Sequence, residues 1–349
     1  MPMHYSRHVS SAPQSVVSDG QCNMGTYNSA IPDINLLDTL NPLGKVLPRK
    51  LNDLRLKEWQ AFQYSDDNWF MCLAVYNTKT LGTAIIMAFN KQEQRMYRYE
   101  HKAPFWKLKV PSGLTHSHCY YHHKNLSLDF HNDLTHNKIS IRFSAKNFKG
   151  CPDLSGNLIA HAVTEPIVIV QPFGHNRPLY SHKALMPTEG SITVNRCETF
   201  VEPSKACTIV DDHKGFYPLE MKYDWVTALG FSRNGLLQGF NLTDNQIQNP
   251  EKYNENCLWL DGKMHPLPPV RIVRPNGVHK PWFIKDKYGQ VDIQFTPLAD
   301  VPVKINVGVS LIDYHGPTGQ FSGYILDHDN KAISFDHFIG MGEQKSIRM

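Results

Sequence analysis

The side chains able to do chemistry gather in one stretch, from Cys207 to Leu267. Asp211 and Asp212 stand side by side after Ile209-Val210, and Glu255-Asn256 precede the apolar run Cys257 to Leu260. Between them lie Tyr223, Trp225 and Asn241, with Trp259 just beyond. Aromatic walls carrying a few inward polar groups are the make-up of a small-molecule pocket inside a barrel. A carboxyl group held against such a wall has its pKa raised by desolvation and can act as a general acid. Asp211 and Glu255 are the candidates. Each has a plainer reading too: an Asp bonding the backbone of a Gly-bearing turn, and a Glu-Asn pair finishing a strand end. Lys183 is either a surface residue with its stem laid down or the partner of one of these acids inside a barrel. Trp225 and Trp259 serve as core residues as readily as ligand platforms.

A second group, His116, His118, His122 and His123, is the one metal-like feature. On a strand His116 and His118 share a face, close enough for a zinc, iron or nickel ion. Two ligands without a third make a poor site. In a chain of 18 histidines the plainer reading is a solvated loop between hairpins, so no metal is expected. No G-x-S-x-G elbow occurs, since Gly230 and Gly235 lie one residue too far apart around Ser232. Phosphate-cradling glycine motifs are absent as well, and no cofactor is expected.

The elements that must position these residues read as strands. Trp59–Tyr64 with Asn68–Tyr76, Thr83–Phe89 with Gln94–Tyr99, and Leu126–His131 with Lys138–Ser144 each flank a short polar turn, the pattern of a hairpin. Short β-branched or aromatic runs continue at 166–170, 191–195, 207–210, 236–242, 257–260, 291–295, 304–311, 321–326 and 331–335. Their spacing of about ten residues is that of sandwiches and barrels. No apolar period of 3.6 is sustained over three turns, and the best helical candidate, 51–60, runs into a strand. The chain reads as all-β.

A length of 349 residues exceeds one ordinary core. Gly150, Pro152, Gly156 and Pro166 suggest a division near 150: a polar flexible leader over 1–22, then β-domains over 23–150 and 151–349. Net charge is +4 with no block of like charges, which argues against a nucleic-acid partner. No window offers a membrane span, although passing contact with a membrane surface stays open. Seven scattered cysteines and the lack of an apolar leader point to the cytoplasm. Nothing in the sequence speaks to the oligomeric state.

Short matches in order along nearly the whole chain resemble a bacterial family known as domain of unknown function 2804. They include Gly25-Thr26-Tyr27, Leu56-Lys57-Glu58-Trp59, Tyr180-Ser181-His182-Lys183, Asp211 with Gly215, Tyr217-Pro218, Tyr223-Asp224-Trp225, Gly239-Phe240-Asn241-Leu242, Glu255-Asn256 and Gly340-Met341-Gly342-Glu343. Two positions depart from the family pattern. Tyr223 replaces a usual Trp, adding a hydroxyl, and Ile347-Arg348-Met349 stand where a terminal Trp is usual. That family is distantly similar to two-barrel calycin proteins, among them carotenoid 1,2-hydratases, tocopherol cyclases, fungal Diels–Alderases and lipid-handling proteins. The resemblance implies two tandem lipocalin-like antiparallel barrels and a small hydrophobic ligand of isoprenoid or polyene type, but no specific reaction.

Two functions follow. In the first, the protein is a cofactor-independent hydratase or cyclase: Asp211 or Glu255 protonates carbon, Tyr223, Trp225 and Trp259 face the cation, and Asn241, Asn256 and Lys183 orient the acid or a water. Tyr217 joins these as a ligand contact. In the second, the same barrel binds or carries a lipid without chemistry.

Overall fold

The computed structural model describes residues 5–307 and 310–348. The alternating runs form two large antiparallel sheets. In the first, the strands lie in the order 95–103, 82–90, 69–77, 57–65, 207–215, 178–194, 154–161, 138–145, 126–133 and 116–122. In the second, the order is 263–266, 257–260, 237–245, 220–231, 339–348, 318–326, 291–299, 282–286 and 270–273. Each curls into a half-barrel, which realises the expected tandem lipocalin-like design. The one α-helix among the described residues, Arg49–Arg55, ends where the strand Lys57–Ser65 begins.

Curling of the first sheet depends on the strand Pro178–Val194. Its first half, Leu179–Pro187, pairs with Cys207–Gly215, and its second half, Thr188–Val194, pairs with Leu154–Ala160. Gly190 lies near the change of partner at φ 135°, where a Cβ would come within 2.1 Å of the Asn157 carbonyl oxygen. Only glycine fits so sharp a turn of the backbone.

Because successive side chains of a strand point to opposite faces, each sheet buries two layers. Phe62, Tyr64, Ile86, Tyr99 and Phe130 fill the first half-barrel. Phe240, Trp282, Phe295, Phe321 and Phe335 fill the second. A third apolar layer, with Leu185, Ile209, Trp225, Leu229, Trp259 and Met341, lies in the seam where the two sheets face each other.

Several expectations change. The strand read as 207–210 continues to Gly215, and all nine of its residues are buried. It is paired along both edges, so no turn intervenes at Asp211. The chain passes from one sheet to the other between Gly215 and Glu220. The Pro- and Gly-rich stretch near 150 joins two neighbouring strands of one sheet, 138–145 and 154–161. The segment 1–22, expected to be loose, is packed from Tyr5 onward: Val16 and Val17 are buried, and the buried Arg7 donates to the Asn256 carbonyl at 2.9 Å. The expected strand 304–311 spans positions 308 and 309, outside the described residues.

Candidate functional site

The seam holds a buried polar cluster that the strand registers assemble. Lys183 and Asp211 are direct cross-strand partners, and Ser181, His213 and Trp59 form the next row. Ala61 lies opposite Asp211. The second sheet contributes Tyr223 and Trp225, whose partners on the neighbouring strand are Lys345 and Glu343. Glu255 arrives on the segment before the strand Cys257–Leu260 and is fully buried.

Lys183 Nζ donates to Asp211 Oδ1 at 2.5 Å and lies 3.5 Å from Glu255 Oε2. Ser181 Oγ donates to Glu255 Oε2 at 3.1 Å, and the Tyr223 hydroxyl donates to Glu255 Oε1. Trp59 Nε1 approaches Asp211 Oδ2 at 3.4 Å. One ammonium is therefore shared by two carboxylates, one from each sheet. His213 stacks on Trp59 with ring centres 4.1 Å apart. Among the described residues neither nitrogen of His213 has a hydrogen-bond partner, and neither does the buried hydroxyl of Tyr217 close by. A buried polar atom without a partner costs about 1–3 kcal/mol. Such atoms facing one place are what a site for a polar group looks like.

Burial works to lower the Lys183 ammonium, but Asp211 and Glu255 carry it above its ordinary value. Burial, helped by the nearby Lys183 and Lys345, pushes His213 well below the usual histidine range, so its ring is neutral. Burial and then Glu255 push the Tyr223 hydroxyl upward, and burial does the same for Tyr217. The cluster thus offers proton acceptors and neutral donors that differ in environment, the condition for moving protons at a bound molecule.

Of the expected site residues, Asp211, Glu255, Lys183, Tyr223 and Tyr217 meet in this seam rather than inside a barrel. Trp225 lies there too, but its ring faces the Lys183 ammonium at 5.6 Å. Lys345 covers Tyr223 at 5.6 Å and Trp59 at 5.2 Å. Two of the three aromatic faces expected to greet a ligand cation, Tyr223 and Trp225, already hold the protein's own cations. Asn241 accepts from Trp225 Nε1 at 2.6 Å and donates to the Glu255 carbonyl at 2.8 Å, so it sets the ring and the acid-bearing segment. Asn256 bonds Thr243 and the Pro268 carbonyl, and Trp259 Nε1 donates to the Glu165 carbonyl at 3.1 Å. Their polar atoms join backbone to side chain and do not aim at the cluster.

Sequence reasoning missed Trp59, Ser181, His213, Glu343 and Lys345. Period-2 spacing was the available signal: His213 follows Asp211 by two, and Ser181 precedes Lys183 by two. Ending the strand at Val210 removed it.

This chain matches the family described as "Domain of unknown function (DUF2804)" over residues 7–349. It is a DUF2804 protein. No curated protein matches it. Among solved structures the DUF2804 chain is similar to CghA (TM-score 0.52, 11% identity) and to CghA with Sch210972 (TM-score 0.51, 12% identity), each covering 84% of this chain and 88% of that one. Kievitone hydratase from Nectria haematococca aligns with TM-score 0.49 at 11% identity, over 84% of this chain and 88% of its own. At such identity the CghA likeness is one of fold. No helix among the described residues of the DUF2804 chain is long and apolar enough to cross a membrane.

Proposed function

We propose that the seam is an acid–base site acting, without a cofactor, on an apolar unsaturated small molecule of lipid or isoprenoid type, by hydration or cyclisation. The observation that carries this reading is the set of unpartnered polar atoms, His213 Nδ1 and Nε2 and the Tyr217 hydroxyl, beside two carboxylates in an otherwise aromatic layer. Asp211 and Glu255 are the candidate proton carriers; Lys183 holds them in place and Tyr223 fixes Glu255. With the aromatic faces taken by Lys183 and Lys345, the site suits a substrate already polarised by a carbonyl or hydroxyl better than a free carbocation. The fold shared with CghA, whose structure holds Sch210972, supports a small molecule as occupant. Seven free thiols support the reducing cytoplasm as its compartment.

A carrier reading has its own support in a cavity of about 460 Å³ beside the first half-barrel, lined by Leu36, Leu56, Phe105, Trp106 and Leu108 and, among its charged residues, by Glu58 and Lys214. Solvent extraction of protein purified from its host, followed by mass spectrometry, identifies the ligand. Asp211→Asn and Glu255→Gln are then expected to keep ligand uptake while one of them lowers turnover about 10²–10⁴-fold, as for a lost general acid. Full turnover in both variants would remove the carboxylates from the chemistry. Ser112→Trp, at the cavity mouth, is expected to leave uptake unchanged; loss of uptake there favours the carrier.

A further inference from the structure

The histidine-rich segment is an edge strand, His116–His122, paired with Leu126–Asp133 alone. Its outward positions are His116, His118, Tyr120 and His122, while Cys119 and Tyr121 point into the half-barrel core. Across the hairpin His131 lies directly opposite His118, and Asp129 lies opposite Tyr120, diagonal to both His118 and His122. Of the expected pair only His118 belongs to this group; His116 lies opposite Asp133, and the neighbouring strand supplies the other two members, Asp129 and His131.

Three imidazoles converge on the one carboxylate of Asp129. His131 Nε2 is 2.9 Å and His118 Nε2 is 3.2 Å from Asp129 Oδ1, while His122 Nε2 is 3.0 Å from Oδ2. Only the His122 contact has hydrogen-bond geometry. Asp129 Oδ1 is a buried oxygen with no hydrogen bond among the described residues, despite two ring nitrogens within 3.2 Å of it. The rings of His118 and His131 stack with centres 3.9 Å apart. Nitrogens and an oxygen that crowd without bonding one another are arranged as donors to a shared cation. Two ligand atoms each bound at 2.0–2.2 Å around a tetrahedral ion are separated by about 3.3 Å, close to the spacings seen here.

We propose that His118, His131 and Asp129 bind a divalent transition-metal ion of the zinc type on the outer face of this hairpin, with His122 orienting the carboxylate through Oδ2. Imidazole and carboxylate ligands suit zinc, and the site is separate from the seam because it uses the far edge of the first sheet. The ion ties together the two outermost strands, where an edge is otherwise free to fray or to pair with another chain.

The test uses the full chain, stripped with a chelator and titrated with zinc by calorimetry and with cobalt(II) by visible absorption. The expected result is a zinc ion bound to this group, the intense visible bands of low-coordinate cobalt, and a thermal midpoint that rises with zinc. Asp129→Asn and His131→Ala are each expected to weaken binding at least tenfold and to abolish the zinc-dependent thermal shift. Asp300→Asn, in the other histidine–carboxylate group (His279, Asp300 and His315), is expected to leave both readouts unchanged. Zinc affinity and thermal shift unaltered in both Asp129→Asn and His131→Ala would overturn the proposal, as would a wild-type chain that binds zinc no better than His131→Ala. Since these side chains are outward, the variants are expected to keep the wild-type circular dichroism, so lost binding reads the site and not the fold.

Discussion

Asp211 and Asp212 are adjacent on one strand, each bonded to a buried lysine, and their surroundings are opposite in kind. Asp211 faces the seam, where Lys183 also meets Glu255 from the second sheet. Asp212 faces the first half-barrel and has Lys214 as its partner, while its Oδ2 has none. His182 Nδ1 and Gln60 Nε2, on the flanking strands, are likewise unpartnered. Burial pushes Asp212 up to about 6 even with Lys214 beside it, and burial, then Lys214, pushes His182 down to about 3. On the seam face Asp211, joined by the second carboxylate Glu255, instead raises the lysine against the effect of burial. The same residue types, one position apart, thus differ by their neighbours: a second acid brought by the opposite layer in the seam, a histidine and an amide on the flanking strands in the half-barrel.

This contrast can be broken most forcefully at Lys183. Lys183→Met leaves two buried carboxylates facing each other, and a loss of about 3–5 kcal/mol in urea unfolding is expected, as for a buried ion pair cut on one side. Lys183 has its pKa raised on folding, so its contribution is complete below the unfolded value of 10.5 and fades as pH rises through the higher folded value. Loss of stability above about pH 10.5 that is steeper in the wild type than in Lys183→Met, where the buried tyrosines alone contribute it, checks this.

Asp212 gives the next effect, with an acid-side window. Its pKa rises on folding from 3.8 to about 6, so the folded state favours the protonated acid. Stability is expected to be greatest below pH 4 on this account and to fall by about 3 kcal/mol as pH rises through 6, at about 1.4 kcal/mol per pKa unit. Unfolding measured against pH for wild type and Asp212→Asn reads it: the buried neutral histidines His182 and His213 add stability with rising pH in both proteins, so the difference between the two curves is expected to carry the fall of about 3 kcal/mol between pH 4 and 6. An unchanged slope would assign the titration to another group.

Smaller effects sharpen the seam itself. Tyr223→Phe removes the hydroxyl bonded to Glu255 and is expected to cost about 1–3 kcal/mol, the range for a buried acceptor left without its donor. Tyr217→Phe removes a buried hydroxyl without a partner, so stability is expected to change by less than about 1 kcal/mol or to rise. Weaker ligand uptake in that variant, despite unchanged stability, would show that Tyr217 is kept for the ligand.

Much of the architecture was legible before folding. The three hairpins of residues 57–145 follow from alternation and polar turns, and the observed strands extend each expected run by a few residues. Asp211, Glu255, Lys183 and Tyr223 were legible as polar or aromatic residues out of place in a plain sheet core. The extension of the strand past Val210 was not, because Asp211-Asp212-His213-Lys214 has the polarity of a turn. It is held as strand by partners on both edges and by side-chain pairing on both faces. For the same reason the change of sheet after Gly215 left no mark, while the Pro- and Gly-rich stretch near 150 proved to be an ordinary connection.

The amino-acid order determined that this chain is all-β and which side chains could bear charge or protons in its interior, because period-2 patterning and turn residues act over a few neighbours. Tertiary structure decided that these side chains meet between the two sheets, that Lys183 serves two acids, and that Asp129 joins His118 and His131. Each of those meetings is set by strand register and by which face of one sheet lies against the other. These are long-range choices that local spacing does not encode.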